Sequence, residues 1–322
     1  MTVRPFSAAD IPGWHGVAEA ARRTDDPAHP PVAEAGTRAA LSAESYDGEA
    51  LRWVASDDGT LAGTAEVFLP GTANLGWGFA TVVVHPEHRR RGHGRALLGA
   101  LAAAVTARGR GTVVLTTHPD DGGSAWATAM GAAKAQELLE SQLDIGTAPI
   151  PATAAPPGYR IEQWIGACPE PLAVSFAIAK DAMADAPDGG LGYEPTKTTV
   201  EVVRAAERWR DQREVDLWVV VAVHKATGEI AGLTELELDR NCPPLAHQED
   251  TAVIPAHRGH GIGLWLKADM LRRLASTPVR HIRTTTDPAN AYMLAINERL
   301  GFRRTGVCEQ WTLPVEPATG SE

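Results

Sequence analysis

Pro255-Ala256-His257-Arg258-Gly259-His260-Gly261-Ile262-Gly263 repeats the pattern of Pro86-Glu87-His88-Arg89-Arg90-Arg91-Gly92-His93-Gly94, and this pair decides how the rest of the chain is read. Each stretch follows a segment patterned as a strand and precedes an apolar run patterned as a helix. The common element is Arg-x-x-Gly-x-Gly at a strand-to-helix junction. Glycine lacks a Cβ, so the backbone at Gly92, Gly94, Gly261 and Gly263 can approach a ligand closely and take conformations other residues resist. Successive N–H groups at a helix N-terminus form a concave donor surface at the positive end of the helix dipole, which suits a diphosphate. Arg89, Arg90, Arg91 and Arg95 surround the first turn, and Arg258 and His260 mark the second. Guanidinium groups offer paired donors to phosphate. Other glycine motifs fit less well. A Walker loop requires Gly-Lys-Ser/Thr, and a dinucleotide fingerprint requires a third glycine where Leu97 and Leu266 stand.

The spacing that takes position 86 to 255 also takes Gly63 to Gly232, Glu66 to Glu235 and His118-Pro119 to Asp287-Pro288. Met130-Gly131 then matches Leu300-Gly301 with one residue of slip. A repeat this long is a duplicated domain, not a solenoid unit. The Pro-rich segment with Pro149, Pro151, Pro156 and Pro157 cannot hold a helix or a central strand and reads as a stiff linker. The expected organisation is a first domain over 1–145, a linker over 146–158, a second domain over 159–314 and a tail over 315–322.

Each copy reads as mixed α/β. In the second, a strand near Tyr159–Trp164 is followed by helices around Glu170–Met183 and Thr198–Trp209. Strands then follow at Asp216–His224, Glu229–Leu238 and Asp250–Ile254. The first copy has strands at Leu51–Ser56, Thr60–Leu69 and Trp77–Val84. After the glycine turns, Leu98, Leu101, Ala102 and Val105, and Ile262, Leu266, Met270 and Leu274, form helical stripes that belong to the core. Strands Thr112–Thr117 and Ile282–Thr286 follow, then a helix ending in glycine.

Composition narrows the function. The 322 residues are 44% hydrophobic, enough for sizeable cores. Lys plus Arg is 30 against 40 Asp plus Glu, a net charge of −10, which disfavours general nucleic-acid binding. No targeting core or membrane span is evident, so a cytoplasmic protein, monomeric or homodimeric, is expected. Cys168, Cys242 and Cys308 have neither disulfide nor zinc spacing. His85, His88, His93, His257 and His260 cluster at the turns without carboxylates at ligand spacing, so no metal is expected.

Arg-x-x-Gly-x-Gly after a Val-rich strand, with Asn290 and Leu300-Gly301-Phe302 downstream, resembles the acyl-CoA signature of the GNAT N-acetyltransferases. The resemblance spans nearly the whole chain, twice, and tandem members of this length include mycothiol synthase-like enzymes. It implies two tandem GNAT folds with mixed sheets. It also implies acetyl-CoA as cofactor, its diphosphate on the amides of Arg91–Arg95 and of His260, Gly261, Ile262, Gly263 and Leu264. The pantetheine would pair with Val82, Val83 and Val84 and with Thr251, Ala252 and Val253. Arg258, Gly259 and Asn290 complete the implied cofactor contacts.

Acyl transfer from a thioester to an amine needs a base for the amine, a donor for the carbonyl oxygen and a proton for the leaving thiolate. Direct transfer in a ternary complex needs no protein nucleophile. The family often carries its base on the strand bearing Glu66 and Glu235, and Glu237 shares the side-chain direction of Glu235. The family's acid, a Tyr four residues before the glycine, is replaced by Asn297 and, in the first copy, by Ala127. Tyr292 stands nearby. Ser124–Ala132 lacks both the Asn and the Phe, so the second copy is expected to be catalytic. The expected function is acetyl transfer to a primary amine of a small molecule or peptide. The alternative left open is an acyl-CoA-binding module without turnover.

Overall fold

Short β-branched runs alternate with apolar-striped helices along the computed structural model, which describes residues 1–147, 150–187 and 189–315. The first half runs β1 (Thr2–Pro5), α1 (Ile11–Asp25), α2 (Glu34–Ser42), β2 (Glu49–Asp57), β3 (Thr60–Leu69), β4 (Trp77–Val84), α3 (His93–Ala107), β5 (Thr112–Thr117), α4 (Gly123–Ala129) and β6 (Ala133–Asp144). The second half runs β7 (Tyr159–Ile165), α5 (Ala173–Lys180), α6 (Val200–Gln212), β8 (Val215–His224), β9 (Ile230–Asp239), β10 (Leu245–Val253), α7 (Ile262–Leu274), β11 (His281–Thr286), α8 (Ala291–Leu300) and β12 (Arg303–Pro314). Part of the Pro-rich segment, residues 148 and 149, and the tail from 316 on lie outside the described residues.

The two halves are built alike, as mixed α/β units whose only parallel pairs are β4–β5 and β10–β11 among the described pairings. Their helices begin and end where the sequence supplies the right backbone chemistry. Gly92 and Gly261 start α3 and α7 at φ 90° and 74°, and Gly301 ends α8 at φ 90°, all in the left-handed region. The Thr199 hydroxyl accepts from Val202 N–H at the start of α6, and Asn290 accepts from Met293 N–H at the start of α8. The expected helix over Glu170–Met183 is an α-helical core, α5, between 3₁₀ turns at Glu170–Leu172 and Asp181–Asp185.

The chain divides into two compact units. One holds Met1–Glu137, Gly189–Glu194 and the chain from Val307 on; the other holds the remainder. Strand order in the first is β1-β2-β3-β4-β5-β12, and in the second β6-β11-β10-β9-β8-β7. The last strand of each sheet therefore comes from the opposite half of the sequence. Within the first unit β12 runs antiparallel to β5, from Glu309↔Thr117 to Pro314↔Thr112. Within the second, β6 runs antiparallel to β11, from His281↔Asp144 to Thr286↔Leu139.

Each unit has its own core. The α7 stripe of Ile262, Leu266, Met270 and Leu274 is fully buried with Leu236 and Ile282. The α3 stripe packs Leu98, Leu101 and Val105 against Val67, Val113 and Leu115. The α5 side of β8 and β9 is closed by Phe176, Val219, Val221 and Leu233. At about 25 cal/mol per Å² of buried apolar surface, each such side chain contributes on the order of 1.5–3 kcal/mol, which holds the sheets that position the turns.

Candidate functional site

The glycine turn of the second unit sits at the mouth of a cleft of about 670 Å³. Its walls are Thr251, Ala252 and Val253 of β10, Arg258 and Gly259 before the turn, and Gly261, Ile262, Gly263 and Leu264 of the first turn of α7. Asn290, Tyr292 and Met293 of α8 and Met183 and Asp185 after α5 close it. His260 is exposed, its Nδ1 3.2 Å from the His257 carbonyl oxygen. Gly263 has a packing reason to be glycine, since a Cβ there would lie 3.3 Å from Ile296 Cδ1. In the first unit, a Cβ on Gly94 would lie 3.0 Å from Trp126 Nε1. The two glycines thus let the next helix close over the turn.

Beside each turn the strand has a free edge. β4 pairs with β5 from Trp77↔Thr112 to Ala80↔Leu115 and no further, so Val82, Val83 and Val84 pair only with β3. β10 pairs with β11 over Leu245–His247, so Thr251, Ala252 and Val253 pair only with β9. Unpaired N–H and C=O groups at such an edge can take an extended ligand as an added strand.

The copies differ one residue further along. β10 has a register shift between Gln248 and Thr251, so Glu249 and Asp250 bulge opposite Glu235. The matching stretch of β4 keeps an unbroken register from Gly63↔Val84 to Phe68↔Phe79. At the bulge, Lys180 Nζ donates to Glu235 Oε2 at 2.7 Å and to Asp250 Oδ2 at 2.5 Å. Glu235 is 1% exposed, and its Oε1 has no hydrogen-bond partner. Burial raises the pKa of Glu235 against the pull of Lys180, with Asp250 adding like charge. Burial opposes the Lys180 cation, but Glu235 and Asp250 outweigh it and hold its pKa above the ordinary value. One ammonium thus serves two carboxylates.

The other expected acids are engaged differently. Arg210 Nε donates to Glu237 at 2.6 Å, and Arg52 pairs with Glu66. Asn297 is buried, accepting from Lys267 Nζ at 2.8 Å and donating to Thr286 Oγ1 at 3.3 Å. Tyr292 is 75% exposed and lines the cleft. Cys168 is no nucleophile, because burial pushes its thiol up to about 12.

Arg89 and Arg258 do the same local work in both units. Arg89 Nε donates to Val84 C=O at 3.2 Å and its other nitrogens to Asp25. Arg258 Nε donates to Val253 C=O at 2.9 Å, and Nη2 to Asp185 at 2.6 Å. Each ties the end of its strand to an aspartate from the preceding helical segment. Arg90, at φ 63°, Arg91 and Arg95 are exposed around the first turn. His93 is buried in the first turn of α3, where burial lowers its pKa.

The sequence reading did not single out Lys180, Asp250 or Lys267. A lysine ending an apolar helix and an aspartate beside Glu249 carry no motif. The bulge that brings Asp250 to Glu235 is a property of strand pairing.

The sequence model of the Acetyltransferase (GNAT) family matches residues 18–130 and 183–302. A protein named mycothiol acetyltransferase from Thermomonospora curvata is 30% identical over 303 residues, covering 92% of each chain. One of the same name from Sanguibacter keddieii is 28% identical over 322 residues, covering 96% of this chain and 95% of that one. A solved tandem GNAT protein from the clavulanic acid biosynthesis pathway matches with TM-score 0.85 at 26% identity, covering 98% of this chain and 99% of that chain. A GCN5-related N-acetyltransferase from Sphaerobacter thermophilus shares the fold, with TM-score 0.73 at 17% identity, covering 98% of this chain and 96% of the other.

Proposed function

The chain belongs to the acetyltransferase (GNAT) family, with two such domains in tandem, and from that premise we propose that its second copy transfers acetyl from acetyl-CoA directly to a primary amine of a small molecule. GNAT acetyltransferases use an acyl-CoA donor. One observation carries the assignment to the second copy: its cleft joins the glycine turn to the free edge of Thr251–Val253, which continues directly from the β10 bulge opposite Glu235. The first copy keeps the turn and the free edge, but β4 has no bulge and Glu66 is paired with Arg52.

In this reading, amides at Gly261–Leu264 hold the diphosphate and β10 receives the pantetheine as an added strand. The acceptor amine loses its proton to Glu235, directly or through one water, and attacks the thioester carbonyl. Its nitrogen forms the new C–N bond, the C–S bond breaks, and the thiolate of CoA leaves. The raised pKa of Glu235 brings it closer to the working pH of a base. Lys180 holds the carboxylate in place. Of the two acid candidates, Tyr292 lines the cleft, whereas Asn297 is occupied by Lys267 and Thr286.

The acceptor class follows from the relatives' name, so a mycothiol-type amine is the first to assay. The test is release of free CoA thiol from acetyl-CoA against a panel of amines. Turnover with one of them, lost in Gly261→Asp and kept in Gly92→Asp, is the expected result. Binding of acetyl-CoA without turnover on any amine would replace this reading with that of a non-catalytic acyl-CoA-binding module.

A further inference from the structure

We propose that Asp57, His88 and His93 form a binding site for a divalent transition-metal ion, for which zinc is the best chemical match. Asp57 ends β2, His88 closes the 3₁₀ turn after β4, and His93 opens α3. His88 Nδ1 lies 3.9 Å and His93 Nε2 3.8 Å from Asp57 Oδ2. One donor atom from each of the three residues lies within 4.8 Å of the others.

Those separations are too long for hydrogen bonds. They are close to what one shared ion requires. Ligands about 2.0–2.1 Å from a tetrahedral zinc stand about 3.3 Å apart, so the two His–Asp separations need to contract by roughly half an ångström. A second observation is independent of the spacing. The His93 side chain is 1% exposed, and neither of its ring nitrogens has a hydrogen-bond partner. His88 Nδ1 is likewise buried and unpartnered. Buried imidazoles are ordinarily satisfied, and here His88 Nδ1 and His93 Nε2 face one carboxylate. The Met1 amino group also approaches Asp57, at 3.6 Å from the other carboxylate oxygen, Oδ1, and Arg91 Nη1 stands 3.9 Å from Oδ2 on a side chain that is mostly exposed.

Two imidazoles and one carboxylate suit zinc and its neighbours in the first transition row and leave a coordination position for water. The second copy cannot build this site, because Ala226, His257 and Ile262 stand at the positions matching Asp57, His88 and His93. A bound ion would clamp the β2–β3 hairpin and the glycine turn of the first copy together. That is a separate role for the copy without the strand bulge, and it stands whether or not that copy turns over.

The full-length protein, stripped with a chelator, is titrated with zinc by calorimetry, and its thermal unfolding is followed with and without the ion. One zinc per chain is expected, with a rise in Tm. His93→Asn and Asp57→Asn should each weaken binding by at least about tenfold. The partly exposed Asp57 gives a variant that folds even if His93→Asn does not. His257→Gln should leave the affinity unchanged. No binding to the wild type, unaltered binding by Asp57→Asn, or loss of binding in His257→Gln would each overturn the assignment.

Discussion

Replacing Lys267 with methionine should stabilise the protein at neutral pH and destabilise it in alkali. Lys267 is 2% exposed in the middle of α7. Its Nζ donates to Asn297 Oδ1 at 2.8 Å and lies 5.1 Å from the centre of the Phe302 ring. No carboxylate among the described residues offsets its burial, which pushes the ammonium from 10.5 down to about 7. The unfolded chain regains the ordinary value, so between pH 7 and 10.5 the unfolded state binds more protons and stability rises with pH. The cost of this lysine to the folded state is about 4 kcal/mol at pH 7, about 2 at pH 9 and under about 0.5 at pH 10.5. Methionine fills a similar volume without the charge, but leaves the Asn297 carbonyl oxygen unpaired at a cost of about 1–3 kcal/mol. The variant should therefore gain about 1–3 kcal/mol at pH 7, and the difference should change sign between about pH 8 and 10. Urea unfolding of both proteins across that range, with unchanged m-values, measures it. A difference that does not vary with pH, or a variant less stable at pH 7, would refute the argument that Lys267 is buried without compensation.

Three further outcomes are expected. Gly261→Asp places a strained, negatively charged residue at φ 74° in the turn and should weaken acetyl-CoA binding by at least tenfold, about 1.4 kcal/mol, by calorimetry with Gly92→Asp as background; equal affinity would remove the diphosphate from this turn. Glu235→Gln should lower turnover by about 10²–10⁴ with little change in acetyl-CoA affinity. The wild-type rate should climb with pH as the carboxyl loses its proton, while the variant should recover only as free amine accumulates, and normal turnover at pH 7 would point to Glu237 instead. Lys180→Met leaves Glu235 and Asp250 together without their cation, and chemical denaturation should show a loss of about 3–5 kcal/mol; a loss under about 1 kcal/mol would mean the triad is solvated.

The sequence by itself determined what depends on local chemistry. Gly92 and Gly261 are legible because a left-handed residue at a strand-to-helix junction selects glycine, whatever surrounds it. The stripes of α3 and α7, the Asn290 cap and the duplication are equally local, since period and spacing survive without knowledge of neighbours. Only the tertiary structure decided which charges meet. Lys180, Glu235 and Asp250 come from a helix end and two strands, and Asp250 reaches Glu235 because the β9–β10 register slips there. Asp57 reaches His88 and His93 because β2 ends beside the turn that follows β4. The same holds for β6 and β12. Nothing in their residues selects the edge of β5 or of β11, since backbone hydrogen bonds carry no record of which copy supplies the strand, and long-range pairing alone assigns each to its place.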